Sequence, residues 1–306
     1  MPRKVGFLHN RTKASFQKHL AAFVGRLYDF VEEDDVIIVE RWAGDDLGKS
    51  LEKHAAELAA SADVIVAAGG PQSVVAARNA TTKIPIVFTP VTDPVRLGFV
   101  DSLDQPNTNA TGIAGMTSEL DVARLQLLCE LLPVGEAATI GVLSNKERPL
   151  FEEQYEVLKS AAPKDVTLVR MDVADFAEIE AAIHSFKKKF KSETNSQPAL
   201  LVTADSLFND LRKKVVELAK GVPAIYQWRE FAEAGGLMSF GPSIIDAYKK
   251  VGDYVGHILD GASPANLPVS FPDRFELVIN LRVAQADRHA IPASLLSRAE
   301  FVRTRL

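Results

Sequence analysis

Short apolar runs alternate with longer amphipathic segments along most of this chain, and that alternation restricts the fold more than any other feature. KVGFLHN reads as a strand with a polar end, and SFQKHLAAFVGRLYDF follows with Phe16, Leu20, Phe23, Val24 and Leu27 at helical spacing. DVIIVERWA, ADVIVAAGG and IPIVFTP read as further strands. Helices over LGKSLEKHAAELAAS and PQSVVAARNAT separate them, the second with proline at its first position. Strands apolar on both faces, each followed by a helix, are the pattern of a parallel sheet covered on both sides.

Near residue 112 the pattern restarts. TGIAGMTSEL leads into a helix over DVARLQLLCELLP. The strands ATIGVLSN, VTLVRMDV, ALLVTADS, VPAIYQ and GGLMSFGPS follow, with helices LFEEQYEVLKSAA, FAEIEAAIHSFKKKF and LFNDLRKKVVELAK between them. IDAYKKVGDYVGHILDG is then a long amphipathic helix ending at Gly261, and FELVINLRVA is a late strand. The expected architecture is therefore α/β, with two consecutive lobes plus one extra helix and one extra strand. If the helix joins the first lobe and the strand the second, the chain crosses between lobes three times, which suits a ligand held in a cleft.

With 306 residues, 47% of them hydrophobic, the chain can build one large domain or two medium ones. A formal net charge of -5 argues against a nucleic-acid partner. A single cysteine, Cys129, excludes an intrachain disulfide and a thiolate metal cluster; in LQLLCELL it reads as a small buried hydrophobe. No stretch approaches the roughly 18 apolar residues of a membrane span. Met1-Pro2-Arg3-Lys4 leads straight into the first strand. The expectation is either a cytosolic protein or one whose secretion leader has been removed.

Parallel sheets bind ligands beyond the carboxyl ends of their strands. In the first half those ends carry His9 and Asn10, then Gly69, Gly70, Pro71, Gln72 and Ser73, then Thr89, Pro90, Val91, Thr92 and Asp93. In the second half they carry Ser144 and Asn145, Asp205 and Ser206, and Tyr226, Gln227 and Trp228. Such residues also cap helices whatever the function. The Gly69-Gly70 turn opens backbone N–H groups to an anion, with Ser73 and Thr92 as hydroxyl partners for a carboxylate. Pro94 keeps Asp93 out of the α region, so Asp93 either accepts a ligand ammonium or caps the turn at VRLGF. Phe7, Phe88, Phe208, Tyr226, Trp228 and Phe240 lie near these ends, either as core or as stacking partners for an aromatic ligand.

Several chemistries are missing. The six histidines show no metal-ligand spacing, and no GxSxG elbow, Walker motif or GxGxxG fingerprint exists. His19, His54, His184 and His257 fall in amphipathic helices and are expected at the surface. The run Lys187-Lys188-Lys189 with Lys191 reads as a solvated helix end. No catalytic residue, cofactor or metal is expected. The alternative enzyme reading would set Asp93 and Asp205 as acid and base.

ADVIVAAGGPQSVVAARNATTKIPIVFTPVTDPVRLGFVDSL, NATGIAGMTSELDVARLQLLCELLP, EAGGLMSFGPSIIDAYKKVGDYVGHILDG and FELVINLRVAQADRHAIPASLL together resemble an ABC transporter substrate-binding family that includes tryptophan- and tyrosine-binding members. The first tip, FLHNRTKAS, departs from the acidic and small-residue pattern of that family's amino-acid binders. The resemblance implies a type I periplasmic-binding-protein fold, with two Rossmann-like lobes, parallel sheets, three crossovers and a ligand cleft between lobes. It implies lobe one at residues 1–114 plus about 242–269, and lobe two at 115–241 plus about 270–306. Matched residue by residue, the ligand-facing positions are Asn10, Gly70, Gln72, Thr92 and Asp93 in lobe one, and Asn145, Asp205 and Tyr226 in lobe two. The implied partners are a small-molecule ligand, an amino acid or a related carboxylate or amide, and the membrane permease of an importer. The implied protein is a monomer in the periplasm or at the cell surface. A leaderless cytosolic sensor of the same fold is the alternative.

Overall fold

In the computed structural model, which describes residues 2–44, 49–115, 117–133, 137–192 and 196–304, the expected alternation is realised. The expected helix start at Leu47, Met116 in TGIAGMTSEL and part of the 192–198 connector lie outside these residues. The chain opens with β1 (Arg3–His9), α1 (Lys13–Leu27), β2 (Val36–Trp42), α2 (Lys49–Ala59), β3 (Val64–Ala68), α3 (Pro71–Ala80), β4 (Ile86–Thr92) and β5 (Ala110–Gly115). It continues with α4 (Thr117–Leu131), β6 (Ala138–Asn145), α5 (Phe151–Ala161), β7 (Val166–Val173), α6 (Phe176–Ser192) and β8 (Gln197–Val202). Then come α7 (Ser206–Asp210), α8 (Arg212–Ala219), β9 (Ala224–Tyr226), α9 (Arg229–Glu233) and β10 (Met238–Pro242). The chain closes with α10 (Ile244–Leu259), β11 (Phe275–Asn280), α11 (Leu281–Ala286), α12 (Ala293–Leu296) and β12 (Glu300–Val302).

Two compact units result: residues 1–116 with 243–273, and residues 117–242 with 274–306. The chain thus passes between them three times.

Unit one holds a parallel sheet in the order β2-β1-β3-β4-β5. Alternation sorts its side chains: Leu8, Ile65, Ala67, Ile86 and Phe88 pack with Leu51, Ala55, Leu58 and Val74 of α2 and α3. On the opposite face Phe7 meets Phe23 of α1 at 5.7 Å and Tyr248 of α10 at 6.5 Å. Helix α10 belongs here because Tyr248, Val251, Val255 and Ile258 form one buried stripe at helical spacing. Ser243 caps its start, the hydroxyl accepting from the Asp246 amide at 3.3 Å. Its cover also buries His19, which the sequence pattern places at the surface; the ring lies 5.3 Å from both Phe16 and Tyr248.

Strand β4 runs past Pro90, where the sequence suggests it stops. The pairing with β5 shifts register between Phe88 and Val91, a bulge at the residue that cannot donate a ladder hydrogen bond.

Unit two holds seven strands in the order β12-β11-β10-β9-β8-β6-β7, parallel except for the antiparallel pair β10–β11. Leu125, Leu128 and Leu158 from α4 and α5 cover one face over Ile140, Leu201, Ile225 and Ile279. Ile179, Ile183, Phe208, Val215 and Phe231 from α6 to α9 cover the other over Leu143, Leu200 and Tyr226. The segment expected as one helix over 207–220 is two, α7 and α8, meeting at Leu211.

Candidate functional site

The polar ends of unit one's strands converge around two glycines. His9 closes β1, and Asn10 and Arg11, the next residues, are buried with it. Gly69 (φ 89°) and Gly70 (φ 125°) close the turn from β3 into α3. A Cβ on Gly69 would overlap Asn10 Oδ1 and lie 2.6 Å from His9 Cε1, so only glycine lets the turn approach that tip. The Gly69 amide donates to Thr89 Oγ1 of β4 at 3.2 Å. Asn10 Nδ2 points to Gln72 Oε1 at 3.5 Å. The structure therefore brings Asn10, Gly70 and Gln72 together.

Ser73 does not present its hydroxyl there. It is fully buried and donates to the Ala68 carbonyl at 2.6 Å, holding the first turn of α3 onto β3. Thr92 ends β4 half-buried, and Asp93 follows exposed at φ 43°. That value is left-handed, an unusual state for a non-glycine residue before proline. Asp93 Oδ1 accepts from the Arg96 amide at 3.0 Å, so one carboxylate oxygen caps the turn at VRLGF.

Beneath this tip lies an aromatic cluster around His9. His9 stacks on Trp42 at 4.9 Å and meets Phe16 at 4.1 Å. Its Nδ1 accepts from the Arg11 amide at 3.0 Å, which puts the proton of the neutral ring on Nε2, 3.5 Å from the Tyr248 hydroxyl. Burial, with smaller effects of His19 and Arg11, holds the His9 pKa well below its ordinary 6.5. The fold thus favours neutral His9, so its contribution is whole above pH 6.5 and fades as pH falls below that value. About 1.4 kcal/mol is lost per pH unit until the folded protein also takes the proton. Melting temperatures are expected to fall between pH 7 and pH 5, and less steeply in His9→Phe; parallel profiles would refute the assignment.

Unit two gathers its tips around Asp205. This residue caps α7, its Oδ1 accepting from the Leu207 amide at 2.8 Å and from Asn145 Nδ2 at 3.1 Å. Asn145, at the end of β6, is buried and accepts the Glu147 amide at 3.0 Å. Two expected site residues are therefore joined directly. A small recess beside them is lined by Asp121, Ser144, Asn145, Arg148, Gln154 and Thr203, among others.

Tyr226 departs from expectation. Along β9, Ile225 turns toward α4 and Tyr226 toward α6 to α9, so its ring enters the core and stacks on Phe231 at 4.9 Å. Burial raises its phenol pKa. Phe7, Phe88 and Phe208 are likewise fully buried, whereas Trp228 and Phe240 stay partly exposed. Lys187, expected in solvent, donates to the carbonyls of Leu218 and Lys220 at 2.9 and 2.7 Å, closing the end of α8.

Sequence reasoning also missed a buried charged pair on α4. Arg124 is fully buried, its Nη1 paired with Asp121 and its Nε donating to the Phe240 carbonyl at 2.6 Å. Burial pushes the Asp121 carboxyl upward against the pull of Arg124 and Arg148. Among the described residues of this unit, Arg124 Nη2, both amide atoms of Gln227 and of Asn209, the Ser239 hydroxyl, Gln154 Nε2 and His289 Nε2 are buried without a hydrogen-bond partner. The signal was present in DVARL, where an acid and a base three residues apart interrupt an otherwise apolar helix face.

Comparison with known proteins agrees with this architecture. A tyrosine-binding protein of Clostridioides difficile (strain R20291) is 31% identical over 221 residues, which is 71% of this chain. The chain spans 61% of that relative's length. An ABC domain from Streptococcus pneumonia, solved in complex with L-Trp, superposes with a TM-score of 0.86 at 24% identity, over 99% of this chain and 100% of that one. A ligand-free, open substrate binding protein with adhesive properties from Clostridium difficile superposes at 0.68 with 25% identity, over the same shares. The fold is that of the type I periplasmic binding proteins. The family model described as ABC transporter substrate binding protein matches residues 33–303, and with both sheets ending in polar clusters of this kind the chain belongs to that family.

Proposed function

We propose that the protein is the solute-binding component of an ABC import system and that its ligand is an aromatic amino acid. The polar strand ends of both units would serve one ligand, held as the units close on it, and a membrane permease would receive it. The observation that carries this reading is the paired set of polar tips: Asn10, Gly70 and Gln72 in unit one, Asn145 and Asp205 in unit two. Thr92 and Asp93 follow on the strand whose Thr89 holds the Gly69 amide, and the left-handed Asp93 is the kind of strained backbone that collects at ligand sites. The relatives support the ligand class, one being a tyrosine-binding protein and one holding L-Trp. The protein would act as a monomer outside the cytoplasm; no described helix is long and apolar enough to cross a membrane.

The test is a thermal-shift screen of L-tryptophan, L-tyrosine and the remaining amino acids, followed by calorimetry. A ligand at about 100 times its Kd adds roughly 2.7 kcal/mol. Recovery of that ligand unchanged separates binding from turnover, and no shift with any amino acid would refute the reading.

Asp205 is assigned the ligand ammonium. Asp205→Ala also removes the α7 cap and is expected to lower stability by about 1 kcal/mol. Asp205→Ser keeps a capping oxygen without the charge, so it should melt near wild type yet bind tenfold to a hundredfold more weakly, by the usual range for a lost charged hydrogen bond. Undiminished affinity in the serine variant would make Asp205 purely structural.

A further inference from the structure

Three of the residues with unpartnered polar groups in unit two, Arg124, Gln227 and Ser239, lie on α4, just after β9 and on β10. Gln227 directly follows β9, and Ser239 lies on β10 opposite Tyr226. Gly241 lies two residues further along β10, on the same side as Ser239. A Cβ on Gly241 would press on the Gln227 carbonyl oxygen and lie 3.2 Å from Arg124 Nη2. The free edge of the guanidinium, the end of β9 and the glycine of β10 therefore meet at one place. Arg124 has five N–H donors, and two of its three nitrogens are already held, by Asp121 and by the Phe240 carbonyl. The third, Nη2, is buried and unpaired, and so is the whole Gln227 amide.

Buried donors left unmade destabilise a fold, and native proteins retain them where something else completes them. A buried guanidinium edge with free N–H donors suits a carboxylate, with charge-assisted bonds out of water. Asp121 fixes the guanidinium without consuming this edge. Arg148 lies close enough to act on both members of the pair, adding a second positive charge beside one negative one.

We infer that Arg124 and Gln227 receive the carboxylate of the ligand in unit two. This rests on the amino-acid reading above. It moves the carboxylate away from the Gly69-Gly70 turn of unit one, where the sequence alone would put it. Asp205 of the same unit would take the ammonium group.

The test combines Gln227→Leu with trimmed ligands. Leucine fills a similar volume without the two unpartnered polar atoms and leaves the Asp121–Arg124 pair intact. The ligand-free variant is expected to melt at or above the wild-type temperature while its affinity for L-tryptophan and L-tyrosine falls tenfold to a hundredfold. Against wild type, tryptamine and tyramine, which lack the carboxylate, should bind at least a hundredfold more weakly than the parent amino acids. Gln227→Leu should affect tryptamine no more than twofold, because the group it serves is gone. A lower melting temperature with unchanged affinity would make Gln227 structural and overturn the inference. So would equal losses for tryptophan and tryptamine. If wild type binds tryptophan but the variant binds it equally well, only this inference fails; if wild type binds no amino acid, the ligand class fails with it.

Discussion

Arg124→Met is expected to cost about 3–5 kcal/mol, because it strands the Asp121 carboxylate in a buried position with no countercharge. Both members of this pair are almost fully excluded from solvent. The methionine also forfeits the donor to the Phe240 carbonyl, one of the ties between β10 and α4. Since domains are stable by only about 5–15 kcal/mol, the loss consumes a large part of the total. Asp121 will then take up a proton more readily, since burial already biases its carboxyl upward. The double variant Asp121→Asn, Arg124→Met removes the stranded charge and should recover most of the loss. Urea unfolding followed by fluorescence reads this locally. The two tryptophans fall one in each unit, and in a Trp42→Phe background Trp228 reports on unit two. A single variant with the wild-type midpoint would show that the pair contributes nothing net.

Gly69→Ala should be a damaging small change in unit one. The backbone there is left-handed, and the added methyl would collide with Asn10 Oδ1 and sit 2.9 Å from His9 Nδ1. Strain and overpacking together predict a loss of about 2–4 kcal/mol. Displacing Asn10 also separates it from Gln72, so the ligand-induced melting shift should vanish. Gly98→Ala is the control: φ is 69°, but nothing lies within 4 Å of the new methyl, so only the smaller backbone cost of about 1 kcal/mol applies. If the two variants behave alike, crowding at the tip has no role.

Long, strongly periodic segments were legible in the sequence. β6 and β7 fall on the expected residues, and the buried stripe of α10 is plain from its spacing. Strand β5 was not legible. Its sequence, ATGIAG, offers small residues without alternation, and it is a strand because β4 pairs with it. The short β12 and α9 depend likewise on tertiary neighbours. At the site, residue type located the tips but not their orientation. Ser73 and Tyr226 were placed by position in sequence, whereas hydrogen bonding to Ala68 and strand parity turned both inward. Arg124 lies far in sequence from the Gln227 tip it meets, and only pairing in three dimensions brings them together.

The three passages of the chain between units constrain how the protein is made. Unit one is not contiguous, because its sheet forms from residues 1–116 while α10, which covers β1 and α1, begins only at Ile244. During synthesis at about 5–20 residues per second, the first sheet waits several seconds with the Phe7, Phe23 and His19 face uncovered, until the whole of residues 117–242 has left the ribosome. A chaperone acting on the nascent chain would find that aromatic surface first.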